Sequence, residues 1–281
     1  MNAYLDTGVF DQLYRKVGCT SADIANLRKA IYGRDLSIPL GIHHLEEILL
    51  ARKAPPHSLT AQIRLVLSIA SLRSLIKPCE QLIADDVRAY AARGEADSPF
   101  IHGAMQNAVS DGIAELIESD GEEIAGEFVA ALEESRRQKE RFFAGLRRVG
   151  EIAATAEPRA GVNESSFDEY WRAHAPRIAA ALAERAGVLQ ECERRGIDGL
   201  LGLRTVRAAA GVALAMAFGQ GHGAASGGAG GAPEIHHVVA GAARAEIFVS
   251  EDADVRSLIE RIPLEGFSAI GMAGFLANVR G

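Results

Sequence analysis

The sequence contains few cysteines and no long hydrophobic run. Its three cysteines, Cys19, Cys79 and Cys192, are far apart and form no paired spacing typical of a disulfide framework or a zinc site. The longest weakly polar stretch, 206–219, is rich in Ala and Gly and shorter than the roughly 20 apolar residues of a membrane span. The N-terminal residues lack the basic segment and apolar run of a secretory signal. We therefore expect a cytoplasmic protein with no membrane partner.

Positive charge is also in short supply. Thirty Lys and Arg residues against 37 Asp and Glu residues leave a net charge of -7, so no global positive field attracts nucleic acid. The charge is nevertheless uneven, because an acidic segment at 111–134 precedes a basic one at 136–148. This order predicts one long helix over 121–149, since acidic first turns and basic last turns complement the helix dipole. A second interpretation, compatible with the first, is a local path for phosphates lined by Arg136, Arg137, Lys139, Arg141, Arg147 and Arg148.

Alternation of apolar and helical patterns at the N-terminus predicts a parallel α/β sheet. We expect strands at 3–6 and 36–40, and helices at 9–17, 21–31, 41–53, 59–76 and 80–93. From about position 99 the pattern is helical only, until further strands at 246–250 and near Phe267. The sequence therefore predicts an α/β core in two parts, 1–95 and 233–281, separated by a helical insertion at 96–232. The glycine-rich stretch 219–232 is expected to be a tether or a mobile gate beside the later part.

Four carboxylates are expected at one edge of this sheet. Asp6 ends the first strand, Asp252 follows the third, Glu47 lies in the helix after the second, and Glu234 begins the helix before the third. The carboxyl ends of parallel strands form the edge where ligands bind in such sheets. Converging carboxylates repel each other unless a cation neutralises them, and oxygen ligands select Mg²⁺ or Mn²⁺. The pattern therefore predicts a metal site.

Neighbouring carboxylates and histidines leave some assignments open. Glu46 or Asp254 could replace Glu47 or Asp252 as a ligand, since each lies close to it in sequence. Two histidine pairs, 43–44 and 236–237, show no His-x-x-x-His spacing, and adjacent side chains on a helix diverge. We therefore expect one histidine of each pair to pack inward and the other to face solvent. His237 lies one turn from Glu234 and could be near the site.

Three motifs in order make the resemblance specific. AYLDT at the start, LEEIL after the second strand and EIHHVVAGAARAEIFVSED near the end resemble the PIN-domain nucleases. The resemblance implies a three-layer α/β/α PIN-like fold with a parallel sheet, here carrying a large all-helical insertion. It also implies a metal-dependent ribonuclease that hydrolyses RNA to a 5′-phosphate and a 3′-hydroxyl. The implied Mg²⁺ or Mn²⁺ ligands and catalytic residues are Asp6, Glu47, Glu234 and Asp252, with Ser250 and Thr7 as supporting residues.

The first motif departs from the family pattern. The family usually has Asn two residues after the first Asp, whereas this chain has Gly8. A second hypothesis is therefore a PIN-like interaction module with weak or no catalysis, such as a toxin–antitoxin or defence component. Its helical insertion would then bind a protein partner.

Overall fold

A computed structural model describes residues 1–50, 56–120, 126–155, 166–221 and 235–280. These residues form a mixed α/β fold that is mostly helical, with five short parallel strands. The strands are β1 (Ala3–Leu5), β2 (Pro39–Gly41), β3 (Ser71–Ile76), β4 (Ile247–Val249) and β5 (Ser268–Ile270). The expected mixture of helices with a parallel sheet is confirmed at this level.

Seven helices surround the first three strands and begin the helical middle of the chain. They are α1 (Thr7–Arg15), α2 (Ser21–Tyr32), α3 (Ile42–Leu50), α4 (Pro56–Ile69), α5 (Cys79–Arg93), α6 (Ala104–Glu118) and α7 (Gly126–Thr155). The remaining helices are α8 (Phe167–Arg185), α9 (Leu189–Arg195), α10 (Ile197–Leu200), α11 (Arg204–Gly221), α12 (Ile235–Arg244), α13 (Ala253–Arg261) and α14 (Met272–Arg280). None of the helices in these described ranges is long and apolar enough to cross a membrane.

The order of the parallel strands shows which part of the carboxyl edge is suited to bind a ligand. β1 pairs with β4 and β4 with β5, while β2 pairs with β3, all in parallel. A parallel bridge between Asn2 and Ser37, and a 2.9 Å hydrogen bond from the Ala3 amide to the Ser37 carbonyl, place the β2 side next to β1. The described strands thus form two parallel sheets, β1-β4-β5 and β2-β3, which this bridge places side by side in the order β3-β2-β1-β4-β5. Along the chain, β2 and β3 are added on one side of β1, and β4 and β5 on the other. β1 and β4 therefore flank the switch point, where ligands bind in open α/β sheets.

The helical middle of the chain packs on the sheet region through a shared hydrophobic core. Tyr4 of β1 and Phe248 of β4 belong to the same buried cluster as apolar residues of α5, α7, α8, α11 and α12. A second cluster packs β1, β2 and β3 against α1 to α4 and α14. Close backbone approach supports the first cluster, because a Cβ on Gly211 of α11 would lie 2.7 Å from Ile262. Only a residue without a side chain fits at that crossing.

One predicted helix is wrong, and two boundaries differ. The expected helix 59–76 is two elements, because α4 ends at Ile69 and Ser71–Ile76 forms β3. Apolar residues keep a three-residue spacing through both elements (63, 66, 69, 72 and 75), so periodicity alone does not show where the helix ends. The second strand begins at Pro39 rather than at position 36. The long middle helix, predicted over 121–149, continues to Thr155, and positions 121–125 lie outside the described residues. Of the glycine-rich stretch 219–232, the first residues belong to α11, and positions 222–232 lie outside the described residues.

Candidate metal centre at the carboxyl edge of the sheet

Asp6 ties the end of β1 to the beginning of α1. Its backbone is extended, and its Oδ1 accepts a 2.8 Å hydrogen bond from the Val9 amide, so it is the N-cap of α1. The Ser250 hydroxyl, at the end of β4, also donates to the Asp6 carboxylate. In turn, the Ser250 Oγ accepts a 3.0 Å hydrogen bond from the Asp252 amide. Ser250 therefore links the ends of the two strands that flank the switch point.

The pKa of Asp6 reports a second carboxylate nearby. Burial raises this pKa, the hydrogen bonds from Ser250 and Val9 lower it, and the charge of Glu47 raises it, for a net increase. The contacts agree, because Nε2 of His237 lies 3.1 Å both from the hydroxyl of Thr7, the residue after Asp6, and from Oε2 of Glu47. Asp6 and Glu47, predicted to share a site, are thus brought together.

Glu47 faces the N-terminal turns of α12 through two histidines. Its Oε1 lies 2.9 Å from Nε2 of His236, and its Oε2 lies 3.1 Å from Nε2 of His237. Burial raises the pKa of Glu47, but the two histidines outweigh it and hold the pKa well below its ordinary value. The Glu47 side chain remains 28% exposed while the two imidazoles are almost completely buried. Glu47 therefore lies between the buried imidazoles and solvent.

All four histidines of the two pairs are buried, so the expectation that one of each pair faces solvent is wrong. The reason is that α3 and α12 both lie between the sheet and the helical middle of the chain, which leaves neither helix a fully solvated face. Rings of opposite pairs lie together, with centroids 4.5 Å apart for His43 and His236 and 4.7 Å for His44 and His237. The expected divergence of adjacent side chains is also wrong for His236 and His237, whose ring centroids lie 4.2 Å apart and whose Nε2 atoms both face Glu47.

His43 and His44 are structural, because both nitrogens of each ring are occupied. The Nε2 of His44 donates to the Leu5 carbonyl at 2.7 Å, and its Nδ1 accepts from the Gly41 amide at 2.9 Å. The Nε2 of His43 accepts from the Cys79 amide at 3.0 Å, and its Nδ1 lies 3.2 Å from Glu46. Burial lowers the pKa of His43 to about 4 and that of His44 to about 3, so both rings are neutral at pH 7.

In the second pair, His237 has partners at both ring nitrogens, whereas within the described part of the chain His236 has a partner at one nitrogen only. The Nδ1 of His237 lies 2.8 Å from the Tyr4 hydroxyl, which fixes the ring, and its Nε2 lies 3.1 Å from the Thr7 hydroxyl as well as near Glu47. The Nδ1 of His236 has no hydrogen-bond partner among the described residues, although it is buried. An unpaired buried polar atom costs about 1–3 kcal/mol. This cost applies to His236 alone, because His237 has partners at both nitrogens.

Glu46 points away from Glu47 and is neutralised inside the protein. Its Oε2 accepts a 2.8 Å hydrogen bond from Nζ of Lys139, and its Oε1 accepts one from the Ser135 hydroxyl. Burial raises the pKa of Glu46, but His43 and Lys139 outweigh it and leave the pKa at about 2. Glu46 therefore does not replace Glu47 at the sheet edge. Lys139 is buried in this pair, which corrects its assignment to a solvent-facing phosphate path.

The other basic residues of that predicted path are exposed on α7. Arg136 pairs with Glu140 at 3.1 Å and Arg137 with Glu134 at 3.0 Å, whereas Arg141, Arg147 and Arg148 are exposed. Arg141 also lines a cleft of about 510 Å³ between α5, α7 and α8, together with Arg88 and Arg185. Five of the six predicted contacts are thus available to a ligand in solvent.

The two remaining predicted ligands are less well defined. Asp252 is exposed and serves as the N-cap of α13, where its Oδ1 accepts from the Asp254 amide at 2.7 Å and the Val255 amide at 3.2 Å. Its backbone is held next to Asp6 through Ser250. Asp254 is exposed on the first turn of α13. Glu234 lies outside the described residues, immediately before α12.

Sequence reasoning missed His236 and Tyr4 as neighbours of the carboxylates. The signal available was the position of the histidine pair directly after Glu234, on a helix expected at the same edge. Together, Asp6, Glu47, His236 and His237 offer oxygen and nitrogen donors that suit a divalent cation. No known protein family, curated protein or solved structure matches this chain.

Proposed function

We propose that this protein is a PIN-like, metal-dependent nuclease that hydrolyses RNA at the carboxyl edge of its sheet. The observation that supports the proposal is the meeting of Asp6, Glu47 and Ser250 at the switch point between β1 and β4. Two carboxylates near each other in a buried region call for a cation, and Mg²⁺ or Mn²⁺ suits oxygen donors. The order of the three sequence motifs is what suggests the PIN-like family for this proposal.

The protein's own residues would hold and position the reacting groups. Asp6 and Glu47 would bind the divalent ion, with Asp252 and Glu234 completing the ligand set from the turn after β4 and the start of α12. Ser250 would fix the Asp6 carboxylate through its hydrogen bond. When bound, such an ion lowers the pKa of a water molecule and offsets the charge that develops on the phosphate. An RNA backbone would reach this edge past the exposed arginines of α7.

Single-stranded RNA with Mn²⁺ or Mg²⁺ provides the direct test. We expect the wild-type protein to cleave it and Asp6→Asn to lose at least about 100-fold in rate, because one charged ligand is removed. Asn is as good an N-cap as Asp, so the substitution keeps the start of α1. Its thermal unfolding should therefore match that of the wild type.

A matched control lies one turn further along the same helix. Asp11→Asn also removes a carboxylate from α1, but Asp11 pairs at the surface with Arg15. It should leave cleavage unchanged. Equal cleavage by wild type and Asp6→Asn would refute the assignment. Absence of cleavage by the wild type with either ion would instead favour the second hypothesis, a PIN-like interaction module of a toxin–antitoxin or defence system.

A further inference from the structure

The ligand geometry around Glu47 differs from a site made of carboxylates alone. Each Glu47 oxygen lies close to one imidazole nitrogen, at 2.9 Å for His236 and 3.1 Å for His237. Two ligand atoms about 2.1 Å from one metal ion and at right angles to each other are about 3.0 Å apart. Both separations therefore match neighbouring corners of one coordination sphere. One donor atom from each of the three residues lies within 4.8 Å of the others.

We propose that Glu47, His236 and His237 form a mixed nitrogen and oxygen site that binds a first-row transition-metal ion, such as Mn²⁺, Co²⁺ or Zn²⁺, in preference to Mg²⁺. The inference rests on the proposed function, because it concerns the same edge and names the class of metal that acts there. Imidazole suits the transition metals, whereas Mg²⁺ favours oxygen ligands and keeps its waters. Two histidines and one carboxylate on one side leave the other positions for Asp6, water and substrate.

The surroundings of His237 are those of an oriented metal ligand. A ligating imidazole normally donates its other N–H to a fixed partner, which sets the ring and its tautomer. The Tyr4 hydroxyl, buried in β1, occupies that position at 2.8 Å from Nδ1. With Nδ1–H donating to Tyr4, the Nε2 lone pair faces Glu47. The Thr7 hydroxyl, 3.1 Å from the same Nε2, adds a neutral oxygen.

Access from solvent also favours a ligand. Glu47 is 28% exposed, so an ion can reach the carboxylate from solvent while both imidazoles stay buried behind it. His43 and His44, by comparison, use both nitrogens in contacts inside the protein and are excluded as ligands. Of these four histidines, His236 and His237 are the two whose Nε2 atoms face the partly exposed Glu47 carboxylate.

Pulsed electron paramagnetic resonance of the wild-type protein loaded with Mn²⁺ tests the proposal without any substitution. Nitrogen ligands produce ¹⁴N couplings that a site of carboxylates and water lacks. We expect these couplings, and we expect Zn²⁺ or Co²⁺ to compete with Mn²⁺ far better than Mg²⁺ does. The variant His237→Asn should weaken Mn²⁺ binding by at least tenfold and diminish the couplings. His102→Asn, at an exposed histidine on the loop before α6, should alter neither.

The outcomes separate this inference from the proposed function. Bound Mn²⁺ without ¹⁴N couplings would place the ion on carboxylates only, which overturns the inference and leaves the nuclease proposal standing. ¹⁴N couplings in a protein that cleaves no RNA would support the mixed nitrogen and oxygen site and overturn the nuclease proposal. No binding of Mn²⁺, Co²⁺ or Zn²⁺ at millimolar concentration would overturn both. Since the decisive signal comes from the wild type, a poorly folding variant does not obscure the result.

Discussion

Removal of the Lys139 ammonium should destabilise the protein far more than removal of any exposed charge on the same helix. Lys139 and Glu46 pair at 2.8 Å with side chains only 10% and 1% exposed. Lys139→Met keeps the apolar stem but leaves Glu46 with only His43 and Ser135 as donors. Breaking a buried pair from one side costs about 3–5 kcal/mol, because a buried charge loses its partner. The two remaining hydrogen bonds place our expectation near the lower end, at about 3 kcal/mol.

Urea denaturation followed by far-ultraviolet circular dichroism measures this loss. A change of about 3 kcal/mol corresponds to a fall of roughly 6–12 °C in the melting temperature of a protein of this size class. Arg136→Gln is the matched control, because Arg136 lies one turn away on α7 and pairs with Glu140 at the surface. Exposed pairs of this kind contribute about 0.3–0.5 kcal/mol.

A double-mutant cycle gives a stricter check on the same pair. Glu46→Gln alone leaves the Lys139 ammonium buried, whereas Glu46→Gln with Lys139→Met removes both charges. The double variant should therefore lose about 2–3 kcal/mol less than the sum of the single variants. If Lys139→Met lowers the free energy of unfolding no more than Arg136→Gln does, the Lys139–Glu46 pair contributes nothing to stability and this prediction is wrong.

Two further predictions concern acid stability and close packing. The pKa values of His43 and His44 are lowered by burial to about 4 and about 3 from 6.5, so the unfolded chain binds more protons below pH 6.5. Their contribution to stability is present above pH 6.5 and is lost as the pH falls, by roughly 3 kcal/mol from His43 alone at pH 4; equal urea midpoints at pH 7 and pH 4.5 would contradict this. Gly211→Ala should cost about 1–3 kcal/mol through its clash with Ile262, whereas Gly274→Ala, with open space at its Cβ in α14, should gain up to about 1 kcal/mol in the same assay.

The sequence predicts the sheet edge better than it predicts what surrounds it. The sequence places Asp6 at the end of the first strand and Glu47 in the helix after the second, and the structure brings the two near each other beside the switch point. The end of a strand, such as the position of Asp6, can be predicted from the sequence because it is a local feature of the chain. β3 could not be predicted, because Leu72 and Leu75 continue the three-residue spacing of the apolar residues in α4, so periodicity does not separate the strand from the helix.

Burial of the histidines could not be read from the sequence for a different reason. A helix pattern shows which residues diverge, but not whether another layer covers the second face. α7, far along the chain, covers α3 and buries Glu46 with Lys139. The same long-range packing converts Lys139 from an apparent surface cation into an interior one. Tertiary contacts of this kind carry no local signature.

The long connection between β3 and β4 has a consequence for when the site can exist. Glu47 and His236 are 189 residues apart, and Thr7 and His237 are 230 apart. Contacts at such separation form late in folding, because the entropy of closing the loop is lost before they contribute. At a synthesis rate of about 5–20 residues per second, roughly 10–40 s pass between the emergence of Glu47 and that of His236. Throughout that interval the nascent chain carries Asp6 and Glu47 without the imidazoles that complete their surroundings, so the arrangement around Glu47 can form only after α12 has docked.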